Sequence, residues 1–264
     1  MSKATHATPP FMVDENNISR AWARVALHIY EHPGTEVSPL MLSVSGFDES
    51  GHITEDLAVR DELNKLLASQ GHQDIESVAH TIFPDRIWKV ANGDRALFFR
   101  LYIDVFPRYQ NLKKRDNRRG LYFERLIQFG QGPCNGNQLE WILSQYANRD
   151  GVRDSMFQAS IFDPKRDHIA DAQQQFPCLQ HISFIPTHDG LVVNAFYATQ
   201  QLFVKAYGNY LGIARLGAFM ATEMRIKLAR VNVFVGVAKF ERISKSDPSL
   251  RPLISAARSC VNSH

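Results

Sequence analysis

The sequence has few cysteines and no long apolar run. Its three cysteines, Cys134, Cys178 and Cys260, show no pairing pattern, so we expect free thiols in a reducing compartment. No apolar run approaches the ~20 residues that span a bilayer, and the N-terminal residues lack the apolar core of a signal peptide. These absences predict a cytoplasmic protein that is neither secreted nor inserted in a membrane.

An excess of charge of one sign is also absent. The net charge is only +3, which gives no indication of binding to nucleic acid or to a membrane surface. Hydrophobic residues make up 44% of the 264 residues and charged residues 22%, a composition typical of a globular protein. We predict no metal site, and no repeat or linker divides the chain. The sequence therefore predicts a flexible tail over 1–15 and a single domain over 16–264.

Hydrophobic periodicity predicts the elements of the first 162 residues. Apolar residues recur at helical spacing from Ile18, where Asn17 or Ser19 is a candidate N-cap. The same reasoning predicts helices around 59–67, over 94–106 and from 137 onward, and strands over 40–44, 78–83 and 157–162.

The chain is organised around residues 176–216. Side chains alternate with a period of two from Leu179, which predicts a strand, and a turn at Asp189-Gly190 leads to a second strand over 191–197. From Gly208 the apolar period lengthens to that of a helix. A last strand is predicted over 231–237, followed by a polar tail.

This central stretch resembles the core of the thymidylate synthase family, which includes the deoxycytidylate hydroxymethylases. The matching features are a Pro-Cys pair at a strand start, a hairpin turn, a Leu-Phe pair and the start of a buried helix. These residues are Pro177, Cys178, Asp189, Gly190, Leu202, Phe203, Asn209 and Gly212. The resemblance extends over 122–241. It implies an α/β (α+β) fold with one mixed sheet, helices packed on one face, and a homodimer formed by packing two sheets together.

The resemblance implies that Cys178 is a catalytic nucleophile. In the family, the thiolate adds to C6 of a pyrimidine nucleotide, and C5 then attacks a one-carbon unit carried by 5,10-methylenetetrahydrofolate. The chain is thus expected to be a methyltransferase or hydroxymethyltransferase of nucleotide metabolism. Without the resemblance, a cysteine at a strand start is typically a buried structural thiol.

The resemblance also implies a set of substrate-binding residues. Asn209 is expected to read the base, since its amide offers a donor and an acceptor to uracil, and in the family an Asp here accompanies cytosine. The alternative is that Asn209 caps the helix that follows. Tyr122, Arg125 and Gln180 are expected to form the pocket wall.

The proton-relay acid is not matched by motif. The catalytic glutamate of the family precedes the position of Tyr122, yet no Glu lies between Glu76 and Glu124. We therefore predict Glu124 as the substitute, with Asp94 and Asp104 as alternatives.

The phosphate-binding and folate-binding patterns of the family are altered. Three positions where the family has arginine are occupied by Ser155, Met156 and Ala198, and Gln201 replaces an Asp that contacts folate. Each lost charge-assisted hydrogen bond is worth ~1.5–3 kcal/mol, so the substrate need not be ordinary deoxyuridylate.

A basic segment over 108–119 offers a replacement for these arginines. Arg118 and Arg119, together with Arg125, are predicted to bind the anionic group of the substrate, because adjacent guanidinium groups can hold a phosphate. The other interpretation is a solvated loop.

Two functions follow from these observations. The first is a folate-dependent transferase acting on a pyrimidine nucleotide. The second is a catalytically degenerate family scaffold that binds a nucleotide or assembles with a partner. The presence of Cys178 and Asn209 favours the first, and the lost arginines favour the second.

Overall fold

A seven-stranded mixed sheet lies at the centre of the fold. The computed structural model describes residues 9–112, 114–117, 119–148, 151–168, 177–240 and 243–263. The strands are β1 (Phe11–Glu15), β2 (Glu36–Val37), β3 (Leu40–Val44), β4 (Gln158–Ser160), β5 (Leu179–Thr187), β6 (Gly190–Gln201) and β7 (Leu228–Lys239). Their order is β1-β3-β7-β6-β5-β4, with β2 paired to β7. The β1–β3 and β6–β7 pairs are parallel and the others antiparallel, which confirms the predicted mixed sheet.

Helices cover one face of this sheet. The helices are α1 (Ile18–Glu31), α2 (Leu57–Ser69), α3 (Ile75–His80), α4 (Asp85–Ala91), α5 (Arg95–Leu112), α6 (Lys114–Asn117), α7 (Tyr122–Ile127), α8 (Gln138–Asn148), α9 (Pro164–Asp167), α10 (Tyr207–Glu223) and α11 (Arg251–Asn262). α1 contacts β1 and β3, and α10 contacts β6 and β7. None of the described helices combines the length and the apolar character that crossing a membrane requires.

β5 and β6 form the hairpin that the sequence predicted. Thr187 pairs with Gly190 at the turn, and the Thr187 hydroxyl donates to the Gly190 carbonyl at 2.7 Å. Gly190 has a φ of 122°, a conformation that favours glycine, and a Cβ there would clash with the carbonyl oxygen of Lys227. The hairpin places the start of β5 beside the end of β6.

α10 connects the parallel strands β6 and β7. Parallel neighbours need such a crossover, because a tight turn cannot join them. α10 is buried on nearly all sides. A π-helical turn over Leu202–Ala206 precedes it, and the indole N–H of Trp22 donates to the Leu202 carbonyl at 2.9 Å. Since α10 begins at Tyr207 and continues this turn, Asn209 lies inside the helix and is not its N-cap.

The prediction of a strand over 78–83 is wrong. Residues 75–80 form α3, and the side chain of Asp74 caps this helix by accepting from the backbone N–H of Ser77 at 2.7 Å. Ile75, Val78 and Ala79 are buried at helical spacing. Short apolar runs of this kind do not distinguish a helix from a strand.

Two glycines of α10 allow α3 to approach closely. A Cβ on Gly208 would lie 2.6 Å from the Cβ of Val78, and a Cβ on Gly212 would lie 2.8 Å from the carbonyl oxygen of Ala79. A larger side chain at either position would push the two helices apart. α3 is therefore held beside the first turns of α10.

Both ends of the chain contain elements that the sequence analysis missed. Phe11–Glu15 belong to the predicted flexible tail but pair with β3 as an edge strand. Val13 is buried and Met12 is exposed, but this alternation is too short to identify a strand from the sequence. Near the other end, α11 replaces the predicted polar tail and packs against α1 and α2, burying Leu253 and Ile254.

Candidate functional site

A cleft of about 1640 Å³ opens at the carboxyl end of β6, bordered by α3, α4, α7 and the start of α10. Ligands of open α/β sheets typically bind beyond the carboxyl ends of strands. The volume exceeds the ~300–1,000 Å³ of ordinary small-molecule pockets. The predicted site residues that line this cleft are Cys178, Asn209, Tyr122 and Arg125.

Cys178 presents a partly exposed thiol to the cleft immediately before β5. Its Sγ lies 3.6 Å from Oγ1 of Thr199 near the end of β6. The backbone N–H of Ala198 donates to the Cys178 carbonyl at 3.0 Å, so both contacts fix the thiol against β6. Of the three cysteines, Cys178 alone lines the cleft.

Tyr122, the first residue of α7, lies beside this thiol. Burial raises the pKa of the Tyr122 hydroxyl, and the neighbouring Cys178 acts in the same direction. Backbone hydrogen bonds from Leu179 and Cys178 partly oppose these effects. The hydroxyl therefore keeps its proton at neutral pH and can donate it to a group in the cleft.

Asn209 lies on the first turn of α10 and is only 3% exposed, yet it lines the cleft. Its side-chain amide forms no hydrogen bond with any other residue that the structure describes. Buried amides are normally hydrogen-bonded. The Asn209 amide is thus available to a ligand, and its predicted role of reading a pyrimidine base stays a prediction.

His80 and Arg86 contribute to the opposite side of the cleft. The His80 ring packs edge-on against Tyr109 with ring centroids 5.2 Å apart, and its Nε2 is buried without a hydrogen-bond partner among the described residues. Burial lowers the pKa of His80, and the charge of Arg86 adds to this effect. Arg86 is exposed and forms no ion pair within the described part of the chain.

Glu76 is the centre of an ion-pair network at the cleft. Arg215 binds it through two hydrogen bonds of 2.7 and 2.9 Å, and Arg60 forms a third contact. The hydrogen bond from Arg215 is the main reason that the pKa of Glu76 falls from 4.5 to about 2. Glu76 is therefore ionised at neutral pH and holds α3 against α10 instead of supplying a proton.

The guanidinium of Arg125 does not fit its predicted substrate-binding role. It donates to the Asp167 carboxylate at 2.7 and 2.8 Å, to the Ile161 carbonyl at 2.8 Å, and to the Arg119 carbonyl at 2.9 and 3.3 Å. The Arg125 and Asp167 side chains are 2% and 0% exposed. These five bonds use all five N–H groups, so none is left for a phosphate. Arg125 instead stabilises the cleft wall.

Glu124 and Gln180 are absent from the described residues that line the cleft. Glu124 is buried and pairs with Arg166 at 3.3 Å. Burial raises the pKa of the Glu124 carboxyl, which suits a proton carrier, but this carboxyl does not line the cleft. The Gln180 amide donates to the carbonyl of Pro177. The predicted proton relay and pocket-wall roles therefore do not fit these positions.

The basic segment over 108–119 borders the cleft through Tyr109, Leu112 and Asn117. None of its basic side chains that the structure describes lines the cleft. Arg119 donates no bond there, and its backbone carbonyl accepts from Arg125 and Arg166. Arg118 lies outside the described residues, so its predicted role stays a prediction.

Sequence reasoning missed two groups of cleft residues. Thr199, Gln200 and Gln201 end β6 in the cleft, but these positions were considered only as places where the resemblance fails. His80 and Arg86 were missed because a strand was predicted over 78–83. A helical interpretation would have placed Glu76 and His80 one turn apart on one face.

No group of three or more His, Cys, Asp or Glu side chains within the described ranges could hold a metal ion. A scan against models of known protein families finds no match for this chain, and a search of curated proteins finds none either. The functional assignment therefore rests on the residues and their geometry.

Proposed function

We propose that this protein transfers a one-carbon unit, methyl or hydroxymethyl, from 5,10-methylenetetrahydrofolate to C5 of a uracil-type pyrimidine nucleotide or derivative. The observation that carries the proposal is the shared cleft, which is lined by Cys178 with its thiol, by Tyr122 with its hydroxyl and by Asn209 with its free amide. Covalent activation of uracil requires a nucleophile, and a neutral amide offers the donor and the acceptor that the edge of this base can pair with.

The reaction assigned to Cys178 is a conjugate addition. Its thiolate forms a bond to C6 while the electrons of the C5–C6 double bond move to C5 and the O4 carbonyl as an enolate. Bound methylenetetrahydrofolate would supply the methylene carbon to C5 as that carbon's bonds to the folate nitrogens break, and water would complete a hydroxymethyl group, whereas a hydride from the resulting tetrahydrofolate would complete a methyl group. Loss of the C5 proton and expulsion of the Cys178 thiolate restore the double bond. The hydroxyl groups of Thr199 and Tyr122 are polar neighbours of the thiol that can exchange protons with a ligand.

The cleft also has features that fit the proposed one-carbon donor. A bound methylenetetrahydrofolate would supply the carbon that C5 accepts. Leu121 and Val204 give the cleft apolar wall, and Gln201 gives it an exposed amide, a combination suited to a flat heterocycle with a polar edge.

Arg86 is the proposed partner of the substrate's anionic group. Arg125 and Arg215 are engaged by carboxylates, and Lys89 pairs with Asp85 at 2.7 Å. A phosphate that leaves water needs compensating donors, and the guanidinium of Arg86 has no ion-pair partner among the described residues. It therefore replaces Arg125 in the proposed anion site.

We further propose a homodimer formed through the sheet face opposite the helices. Four apolar side chains, between 38% and 73% exposed, lie in register across β1, β3, β7 and β6. They are Met12, Met41, Phe234 and Phe196. The rings of Phe196 and Phe234 stack with centroids 5.4 Å apart. Monomers rarely expose continuous apolar rows of this kind.

The neighbouring row on this face is polar and internally hydrogen-bonded. Asn232 donates to Asn194 at 2.8 Å, and it accepts from Ser43 at 2.9 Å. The row is neutral at its centre, so the same face of a second copy can pack against it without like charges in contact. This self-complementarity supports a second copy of the chain as the partner.

A catalytically inactive nucleotide-binding scaffold is the second candidate. The observation that favours it is the position of Glu124, the predicted proton-relay residue, whose carboxylate faces Arg166 instead of the cleft. Such a protein would bind the nucleotide through Asn209 but would not turn it over.

Ligand-induced stabilisation tests the proposed function. The melting temperature is measured with deoxyuridylate, uridine and deoxycytidylate, each with and without methylenetetrahydrofolate. A ligand stabilises the folded state by mass action, so we expect deoxyuridylate, as the proposed substrate type, to raise the melting temperature most. No shift with any pyrimidine at millimolar concentration would reject both candidate functions.

A further inference from the structure

Gln200 is buried at the cleft wall with one end of its amide engaged and the other end free. It lies near the end of β6, lines the cleft and is 3% exposed. Its Oε1 accepts a hydrogen bond from the Tyr210 hydroxyl at 2.7 Å. Its Nε2 is buried and has no hydrogen-bond partner among the described residues. Buried donors are rarely left without a hydrogen-bond partner, and such an exception calls for an explanation.

Tyr210 determines which end of the amide is free. It is 1% exposed and follows Asn209 on α10. Its hydroxyl donates to the Gln200 amide oxygen, and burial raises the pKa of Tyr210, so the hydroxyl keeps the proton that it donates. The amide oxygen of Gln200 therefore faces Tyr210, and the amide nitrogen faces away from it.

We propose that Gln200 is a specificity-determining residue of the cleft and that its Nε2–H donates to a carbonyl oxygen of the bound ring. This inference rests on the proposed function and adds a second amide to it. Asn209 from α10 and Gln200 from β6 together favour a ring with two carbonyl groups. Uracil has two, whereas cytosine has one. Cys178 lies just before β5 and Gln200 lies near the end of the neighbouring strand β6, and both residues line the cleft.

Gln138 provides a matched control. It is a partly buried glutamine whose Nε2 donates to the Arg125 and Ser160 carbonyls at 3.1 and 2.8 Å. Its Oε1 accepts from the Ser160 backbone N–H at 2.8 Å. Both ends of this amide are used by the protein, so Gln138 has a structural role and does not line the cleft.

The test compares Gln200→Met with Gln138→Met in the full chain. Methionine keeps the volume of glutamine and removes its hydrogen bonds. For Gln200→Met we expect the calorimetric affinity for deoxyuridylate to fall ten-fold or more, measured at a temperature at which the variant is folded. The melting temperature without ligand should fall as well, because the buried Tyr210 hydroxyl loses its acceptor. For Gln138→Met we expect the melting temperature to fall. Its affinity for deoxyuridylate, measured at a temperature at which the variant is folded, should stay within two-fold of the wild-type value. Gln200→Glu places an acceptor where the donor was, so this variant should bind deoxyuridylate more weakly than Gln200→Met does.

Two results would overturn the inference while the proposed function stands. One is wild-type affinity for deoxyuridylate in Gln200→Met. The other is an equal loss of affinity in Gln138→Met, which would show that the effect of Gln200→Met comes from reduced stability and not from a lost ligand contact.

If the wild-type protein does not bind deoxyuridylate, the proposed function fails, and succinimide serves as a neutral probe with two carbonyl groups. A shift of the Gln200 side-chain NH₂ resonance on adding succinimide, with the Gln138 resonance unmoved, would support the donor role. An unmoved Gln200 resonance would overturn it.

Discussion

The thiol of Cys178 lies 3.6 Å from the hydroxyl oxygen of Thr199. The two residues are held together because β5 and β6 form an antiparallel hairpin, so the start of the first strand meets the end of the second. The crossover to α10 then brings Asn209 to the same place. A thiol and a buried amide from distant parts of the chain thus share one cleft.

Alkylation should distinguish Cys178 from the other thiols. Cys134 is exposed, whereas burial is the main reason that the pKa of Cys260 rises to about 11. We expect iodoacetamide to label Cys178 before both, and deoxyuridylate to protect Cys178 but not Cys134. Mass spectrometry of peptides from a time course measures both effects. Preferential labelling of Cys134, with Cys178 inert in the folded protein, would remove the main support for the nucleophile.

Arg86→Ala should weaken binding of the phosphate group specifically. A charge-assisted hydrogen bond contributes ~1.5–3 kcal/mol, so we expect about a ten-fold or greater loss of affinity for deoxyuridylate. The affinity for deoxyuridine, which has no phosphate, should not change. Arg100→Ala is the control, because Arg100 is exposed on α5 and does not line the cleft. An equal loss for nucleotide and nucleoside would show that Arg86 does not bind the phosphate.

The Glu76–Arg215 pair should make stability depend on acid pH. The pKa of Glu76 is lowered from 4.5 to about 2 in the folded protein. Its contribution is therefore fully present above pH 4.5 and is lost as the pH falls towards 2. We expect Arg215→Met to reduce the loss of unfolding free energy between pH 4.5 and 2, measured by urea unfolding.

A matched variant separates this effect from those of other carboxylates. Arg230 pairs with Asp14 at 2.7 Å, but the Asp14 side chain is 60% exposed, so Arg230→Met should leave the pH dependence unchanged. Identical pH profiles for the Arg215 variant and the wild type would contradict the proposed role of Arg215.

The exposed sheet face should mediate dimerisation. Light scattering at micromolar concentration should give a mass near twice the 30.0 kDa of one chain. Changing Phe196 and Phe234 together to Asp should give monomers, since charged side chains would have to be buried against a second copy. Leu57→Asp, at a 68% exposed position on α2, should remain dimeric. A monomeric wild type at high concentration would reject the proposed interface.

Local sequence signals were sufficient for the central hairpin and for α1. The period-two alternation before Asp189-Gly190 and the helical spacing after Asn17 each agree with a turn or cap residue at the expected position. The structure confirms both, with Gly190 at a positive φ and Asn17 accepting from the backbone N–H of Arg20 at 3.0 Å. The position of Cys178 at the start of β5 follows from the same signals.

Other parts of the site depend on contacts between distant residues. Arg125 was expected to bind substrate, but its partner Asp167 comes from α9, and no local pattern indicates that pairing. The segment over 78–83 is short and apolar, and only its packing against Gly208 and Gly212 identifies the helix. The fold was therefore easier to predict than the roles of individual cleft residues.

Hydrogen exchange at C5 of deoxyuridylate tests the central claim most directly. If Cys178 adds to C6, C5 becomes an enolate carbon that takes a deuteron from D₂O, and elimination of the thiolate returns labelled nucleotide. We expect the C5–H signal in the proton NMR spectrum to disappear with wild-type protein and to persist with Cys178→Ser at equal nucleotide saturation. A wild type that binds deoxyuridylate but leaves the C5–H signal intact, or a Cys178→Ser variant that exchanges it at the same rate, would contradict the account.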